Sequence, residues 1–134
     1  MRKRLEKTVW APVDDLGIEL RLRYLPRSEL TRMVERATEA VFDRRTGQTA
    51  ERVNPEKLVQ EYAAAILDWR GLTREVYARL IPIDLEDYPE TIPCTDEYKL
   101  ELLREAYGFD AVVRQICTDL SRFQDEQVEA EVKN

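Results

Sequence analysis

Residues 18–24 read Ile-Glu-Leu-Arg-Leu-Arg-Tyr. This strict alternation puts Ile18, Leu20, Leu22 and Tyr24 on one face of an extended segment and the charges on the other, the pattern of a half-buried strand. Val9, Ala11 and Val13 alternate in the same way just upstream, and Asp14-Asp15-Leu16-Gly17 lies between the two runs. Those turn residues predict a β-hairpin spanning about residues 8–25. Pro12 has no N–H to donate to a ladder, which assigns the first strand to a sheet edge.

After the hairpin the apolar period lengthens to that of a helix. Ser28 follows Pro26 as a candidate N-cap, and Leu30, Met33, Val34, Ala37 and Val41 form one stripe behind it. Residues 44–54 lose the period and contain Gly47, which predicts a mobile connection. Asn54-Pro55 then opens a second helix carrying Leu58, Val59, Tyr62, Ala63, Ile66 and Leu67 as far as Arg70, with Gly71 as its stop. A short helix is expected after Thr73, followed by a loop imposed by Pro82, Pro89 and Pro93. Thr95 caps a third long helix with Leu100, Leu102, Leu103, Ala106 and Tyr107 on its apolar face and Gly108 at its end. Asp110 caps a fourth, whose apolar positions are Val112, Val113, Ile116, Cys117, Leu120 and Phe123.

The expected fold is α+β and mostly α: an N-terminal β-hairpin followed by four to five packed helices, all-helical beyond the hairpin. A single domain is expected over residues 1–124, with 125–134 as a flexible acidic tail. Apolar residues make up 43% of the chain and charged residues 36%, too apolar for general disorder and too charged for a membrane protein. The basic start Met1-Arg2-Lys3-Arg4 is followed by Leu5-Glu6-Lys7 instead of the apolar run of a secretory signal. With two cysteines, Cys94 and Cys117, read as reduced thiols, a cytoplasmic setting is expected. The net charge of −6 argues against a surface built to neutralise phosphates, so proteins are the expected partners.

Familiar chemistries drop out one at a time. There is no histidine, which removes Ser-His-Asp and Cys-His catalysis and histidine metal sites. The four glycines are scattered, so neither a P-loop nor a dinucleotide fingerprint can be assembled. Asp84, Glu86, Asp87 and Glu90 are close in sequence, but they lack the glycine and alternating ligands of an EF-hand loop and read as a solvated acidic loop. Asp68 beside Trp69 is the nearest approach to a carboxylate in apolar surroundings and reads as a surface acid. Tyr62, Trp69 and Tyr77 read as core residues in preference to a base-stacking platform. A non-catalytic binding protein without a cofactor or metal is what remains.

Three segments, in order, carry a resemblance: Ile66-Leu-Asp-Trp-Arg-Gly71, then Ile92-Pro-Cys-Thr-Asp-Glu-Tyr-Lys-Leu-Glu-Leu-Leu103, then Phe109-Asp-Ala-Val-Val-Arg-Gln-Ile-Cys-Thr-Asp-Leu-Ser-Arg-Phe123. Across about residues 16–123 this order resembles the tail assembly chaperones of long-tailed phages and prophages. The resemblance implies a protein of the bacterial host cytoplasm that binds the tape-measure protein, shields its apolar segments and recruits tail-tube protein, with self-association as a further expectation. A chaperone of this kind needs an exposed apolar groove, for which Val113, Leu120 and Phe123 are the candidates. The alternatives are a structural virion component, such as a head-tail connector or tail-completion protein, and a small regulator that binds DNA or a host enzyme.

Overall fold

A computed structural model of the chain describes residues 7–13 and 16–124. The basic start, Asp14-Asp15 of the first turn and the acidic tail at 125–134 lie outside the described residues. The expected hairpin is present: β1 (Thr8–Val13) pairs antiparallel with β2 (Ile18–Arg23), Val9 opposite Leu22 and Ala11 opposite Leu20. Pro12 lies on an edge strand, as its missing N–H requires. Ile18, Leu20 and Leu22 are buried together with Val9 and Ala11, so the period-two reading of this segment identifies the core face.

α1 (Arg27–Ala37) starts one residue before Ser28, with Pro26 at the N-cap and no side-chain capping bond. It is also shorter than expected. At Thr38 the chain turns into β3 (Thr38–Asp43), which pairs antiparallel with β4 (Gln48–Val53) in a sheet of two strands. The stretch read as a helix end followed by a mobile connection is therefore a second β-hairpin. Val41 satisfies a helical stripe from Ala37, but Thr38, Ala40 and Phe42 alternate equally well with Glu39, Val41 and Asp43; β-branched and aromatic residues here favour the strand. Gly47, at φ +70°, closes the turn.

α2 (Pro55–Ala65) opens as predicted, with Asn54 accepting the Glu56 N–H at 3.0 Å. It stops five residues earlier than expected, and Ile66–Arg70 forms β5, antiparallel to the free side of β2. The three-stranded order is β1-β2-β5, with β2 central. Without β5, β2 would keep an unpaired row of backbone groups over a buried apolar face; pairing outweighs the helical stripe of Ile66 and Leu67. A register shift between Arg21 and Leu22 lets Ile66 and Trp69 both reach the core while Leu67 stays 40% exposed. An all-helical architecture beyond the first hairpin is thereby excluded; the fold is mixed α and β.

α3 (Arg74–Leu80) is capped by Thr73 and α4 (Asp96–Glu105) by Thr95, both as predicted. Between them a single 3-10 turn (Leu85–Asp87) lies in the proline-rich loop. α5 (Phe109–Cys117) is preceded by Gly108 at φ +82°; Asp110 lies in its first turn and does not cap it. Phe123 follows on a separate helical stretch, 120–124, after a break at Thr118 and Asp119. α2 is the hub of the helical layer, packing on α1, α4, α5 and β5, while α5 also packs on β2. Leu20, Leu22, Ile66, Leu102, Val113 and Cys117 fill the space between sheet and helices.

Gly71 is where the backbone approaches itself most closely: a Cβ there would lie 2.5 Å from the Gly17 carbonyl oxygen, at a φ of +80°. A Cβ at Gly47 would meet nothing within 4 Å. Gly47→Ala pays only for the left-handed backbone, about 1–2 kcal/mol, whereas Gly71→Ala adds a backbone clash. Chemical denaturation should show Gly71→Ala to be the more destabilising of the two, and equal losses would contradict the close approach.

Candidate functional site

On the body the exposed large apolar side chains are scattered, at Val34, Leu67, Leu85, Tyr107 and Leu120; on the β3–β4 hairpin three of them fall within sixteen residues. None of its twelve strand residues is buried, and β4 is exposed along its whole length. Phe42 is 61% exposed, and Val41 and Val53 are also open to solvent. Directly opposed residues share a face, so Phe42 with Thr49, Ala40 with Glu51 and Thr38 with Val53 form one side. Val41 with Ala50, Glu39 with Arg52 and Asp43 with Gln48 form the other.

Its root is firmly held. The Asn54 N–H donates to the Ala37 carbonyl at 2.7 Å, which brings the end of α1 against the start of α2. The Thr38 hydroxyl donates to the Val34 carbonyl at 2.6 Å. Glu39 accepts from Asn54 Nδ2 at 2.8 Å and pairs with Lys57 at 2.9 Å, and these partners hold its carboxyl below the usual carboxylate range. α1 and α2 are clamped together nearby by Arg36, which donates to Glu61 at 2.6 Å and to Glu29 at 3.2 Å. The strands thus project as an arm from a rigid base. At the tip the Gly47 N–H donates to the Asp43 carbonyl at 2.8 Å, the Arg45 N–H donates to the Asp43 carboxylate at 2.8 Å, and Arg44 and Arg45 are exposed.

Of the residues expected to line an apolar groove, Val113 and Phe123 are in the core, Phe123 with its ring 5.2 Å from that of Tyr24. Leu120 alone of the three reaches the surface, at 39% exposure. The helix expected to present all three on one stripe breaks after Cys117, which turns Leu120 outward and Phe123 inward. The arm was missed because its residues satisfy two periods at once. The signal that identifies it is the pair of six-residue β-capable runs, Thr-Glu-Ala-Val-Phe-Asp and Gln-Thr-Ala-Glu-Arg-Val, on either side of Arg-Arg-Thr-Gly.

The second open sheet edge is less available. β5 exposes Leu67 and Asp68, but the Trp69 N–H is taken by its neighbour's Asp68 carboxylate at 2.8 Å, and the indole N–H donates to the Ile92 carbonyl at 2.8 Å. Asp68 therefore acts on its own backbone at the surface, and Trp69 is core, as the sequence reading has it. Above the sheet's outer face Arg70 stacks 4.2 Å over the Trp10 ring while its guanidinium pairs with Glu19 at 3.0 Å. Exposed pairs of this kind contribute little to stability.

A half-buried polar cluster centres on Glu101, whose Oε1 accepts from the Tyr77 hydroxyl at 2.5 Å and the Tyr88 hydroxyl at 2.8 Å. Tyr98 completes the cluster edge-on to Tyr77, with ring centroids 6.0 Å apart. These bonds tie the proline-rich loop and α3 to α4. Burial, and then the Glu101 hydrogen bond, push the Tyr77 phenol far above its ordinary range. The Glu101 hydrogen bond first, and then burial, push Tyr88 up to about 12. Desolvation raises the Cys117 thiol to about 12 and Cys94 to about 11, so neither is an activated nucleophile. Among the described residues no group of three or more histidine, cysteine or acidic side chains is placed to hold a metal. No helix there is long and apolar enough to cross a membrane.

The raised phenols and thiols have a calculable consequence. Each keeps its proton in the folded state and loses it more easily unfolded, so stability is full below the unfolded values, near 9 for cysteine and 10 for tyrosine, and falls as pH rises past them. Melting temperature should decline from pH 9 upward, and Tyr77→Phe should flatten the part of that decline above pH 10. A melting temperature constant to pH 11 would contradict the burial of the Tyr77 phenol and the Cys117 thiol.

In comparisons with known proteins, no family model, no curated protein and no solved structure matches the chain.

Proposed function

We propose that this chain is a non-catalytic assembly chaperone that holds a partner protein on the β3–β4 arm. The observation that carries the reading is the arm itself. Phe42, Val41 and Val53 are exposed on a two-stranded hairpin that buries none of its strand residues in its own body. An isolated hairpin of two strands is marginally stable in water, and its exposed apolar side chains, Phe42 and Val53 on one face and Val41 on the other, make it a binding surface or an aggregation liability. A hairpin held this tightly at its root and bare along its length suits the first role. Strand edges and an aromatic anchor offer both main-chain and side-chain recognition to an apolar segment.

The order of the Trp69-Gly71, Thr95-capped and Phe109–Phe123 segments resembles the phage tail assembly chaperones. On that basis the partners are the tape-measure protein, whose apolar segments need shielding, and the tail-tube protein recruited to it. The compartment is the bacterial host cytoplasm, and no cofactor takes part. The arm replaces the groove expected at Val113, Leu120 and Phe123 as the partner surface, because two of those side chains are in the core.

The test is affinity capture with the full chain as bait in lysate of phage-producing cells, read by mass spectrometry. Tape-measure and tail-tube proteins should be recovered with the native chain. Phe42→Asp combined with Val53→Asp should lower recovery by tenfold or more, roughly the loss of one good apolar anchor, at unchanged melting temperature. Recovery of no tail protein overturns the reading. Finding the chain as a stoichiometric component of finished virions favours a structural virion role instead.

A further inference from the structure

Most of the cationic side chains around the helical body have acidic partners. Arg36 pairs with Glu61 and Glu29, Arg70 with Glu19, Arg104 with Glu56, and Lys57 with Glu39. Among the described residues Arg21, Arg27 and Arg79 are single exceptions, and at the arm's tip two adjacent arginines are exceptions together. Arg44 and Arg45 are exposed, and among the described residues neither guanidinium has an ion-pair partner. Phe42, the most exposed apolar residue of the arm, lies two positions before them.

The same imbalance recurs with the opposite sign in the loop between α3 and α4. Glu86, Asp87 and Glu90 are exposed there with no cationic partner among the described residues, and Leu85 is 39% exposed between Asp84 and Glu86. This loop is a fixed shape. Asp84 caps the 3-10 turn by accepting the Glu86 N–H at 3.1 Å, and the Glu90 carbonyl accepts the Arg74 N–H at 3.0 Å. Tyr88, inside the same loop, is bonded to Glu101 on α4.

We propose that the β3–β4 arm docks on a second copy of this chain, its Arg44–Arg45 tip and Phe42 seated against Leu85, Glu86 and Asp87 of the 84–90 loop. Each copy then carries one basic, aromatic-bearing projection and one acidic, leucine-bearing receptor, which match in both charge and polarity and do not pair with each other within a chain. The surface that gives differs from the surface that receives, so two copies exchanging arms reciprocally form a two-fold dimer, and one-way docking propagates into a closed ring or an open chain. Phe42 is shared with the proposed cargo surface, so the two readings are told apart by the charged tip and loop, which the cargo reading does not use.

Charge swapping tests this with the protein alone. Arg44→Glu with Arg45→Glu reverses the tip; Glu86→Lys with Asp87→Lys reverses the loop. All four sites are at the surface and without an ion-pair partner among the described residues. Each reversal moves the net charge four units from −6, to −10 and −2 respectively. Sedimentation of the native chain at micromolar to millimolar concentration should show concentration-dependent assembly. Either reversal alone should weaken assembly by about tenfold or more, because like charges then face each other.

The loop reversal is the sharper of the two. A net charge closer to zero should promote non-specific association, whereas the docking model predicts dissociation. Mixing the two variants pairs an acidic tip with a basic loop and a basic tip with an acidic loop, and should restore assembly. A native chain that stays monomeric at millimolar concentration overturns the proposal. So does a loop reversal that leaves assembly unchanged, or a mixture that fails to reassemble. Cargo capture by the variants is a separate readout, so loss of tail proteins with intact self-assembly would count against the chaperone reading alone.

Discussion

The fold depends on β2 being buried on one face and paired on both edges. Ile18, Leu20 and Leu22 are at most 1% exposed, and burial of each such side chain is worth about 1.5–3 kcal/mol. That gain is available only if the backbone polar groups on either side of the strand find partners. β1 supplies one edge within the hairpin. The other must come from a distance, and β5 supplies it from beyond α1, the arm and α2. The helical layer follows from this closure, because α2 leads directly into β5 and α5 packs against β2 itself. Trp69 then links β5 to the proline-rich segment through its bond to the Ile92 carbonyl, and the tyrosines around Glu101 link that segment to α4.

Against this closure the arm is an exception. Residues 38–53 leave the body between two helices and return to the same place, with the Ala37 carbonyl bonded to the Asn54 N–H across the root. Their apolar side chains reinforce no core. A sequence under selection for stability alone would have no reason to place Phe42 at 61% exposure on a strand with open edges. The cost is accepted where a surface has work to do, which is why the functional reading rests on the arm and not on the half-buried tyrosine–Glu101 cluster, whose hydrogen bonds are internal.

How much was legible in the sequence differs by segment, for physical reasons. The first hairpin was readable because its alternation is unambiguous and its turn is polar. Asn54, Thr73 and Thr95 were readable as caps because their side-chain oxygens satisfy orphan amides locally. β5 was not, since Ile66 and Leu67 extend the stripe of α2 and only the unpaired edge of β2, about forty residues earlier in the chain, decides otherwise. The arm was hidden by the coincidence of two periods at Val41. At the last helix, Val113 and Phe123 fit one stripe with Leu120 only while the helix continues; the break after Cys117 separates them. The loss of the groove and the discovery of the arm are both consequences of where helices stop.

Excising the arm is the measurement that bears most directly on this account. Residues 38–53 can be replaced by a short glycine-containing turn between Ala37 and Asn54, whose backbones already meet, and the armless protein compared with the native chain by thermal unfolding and by partner capture. The account predicts that unfolding stays cooperative at a melting temperature within a few degrees of the native value while capture of the partner is abolished. An armless protein that fails to fold, or one that captures its partner as well as the native chain does, would contradict it.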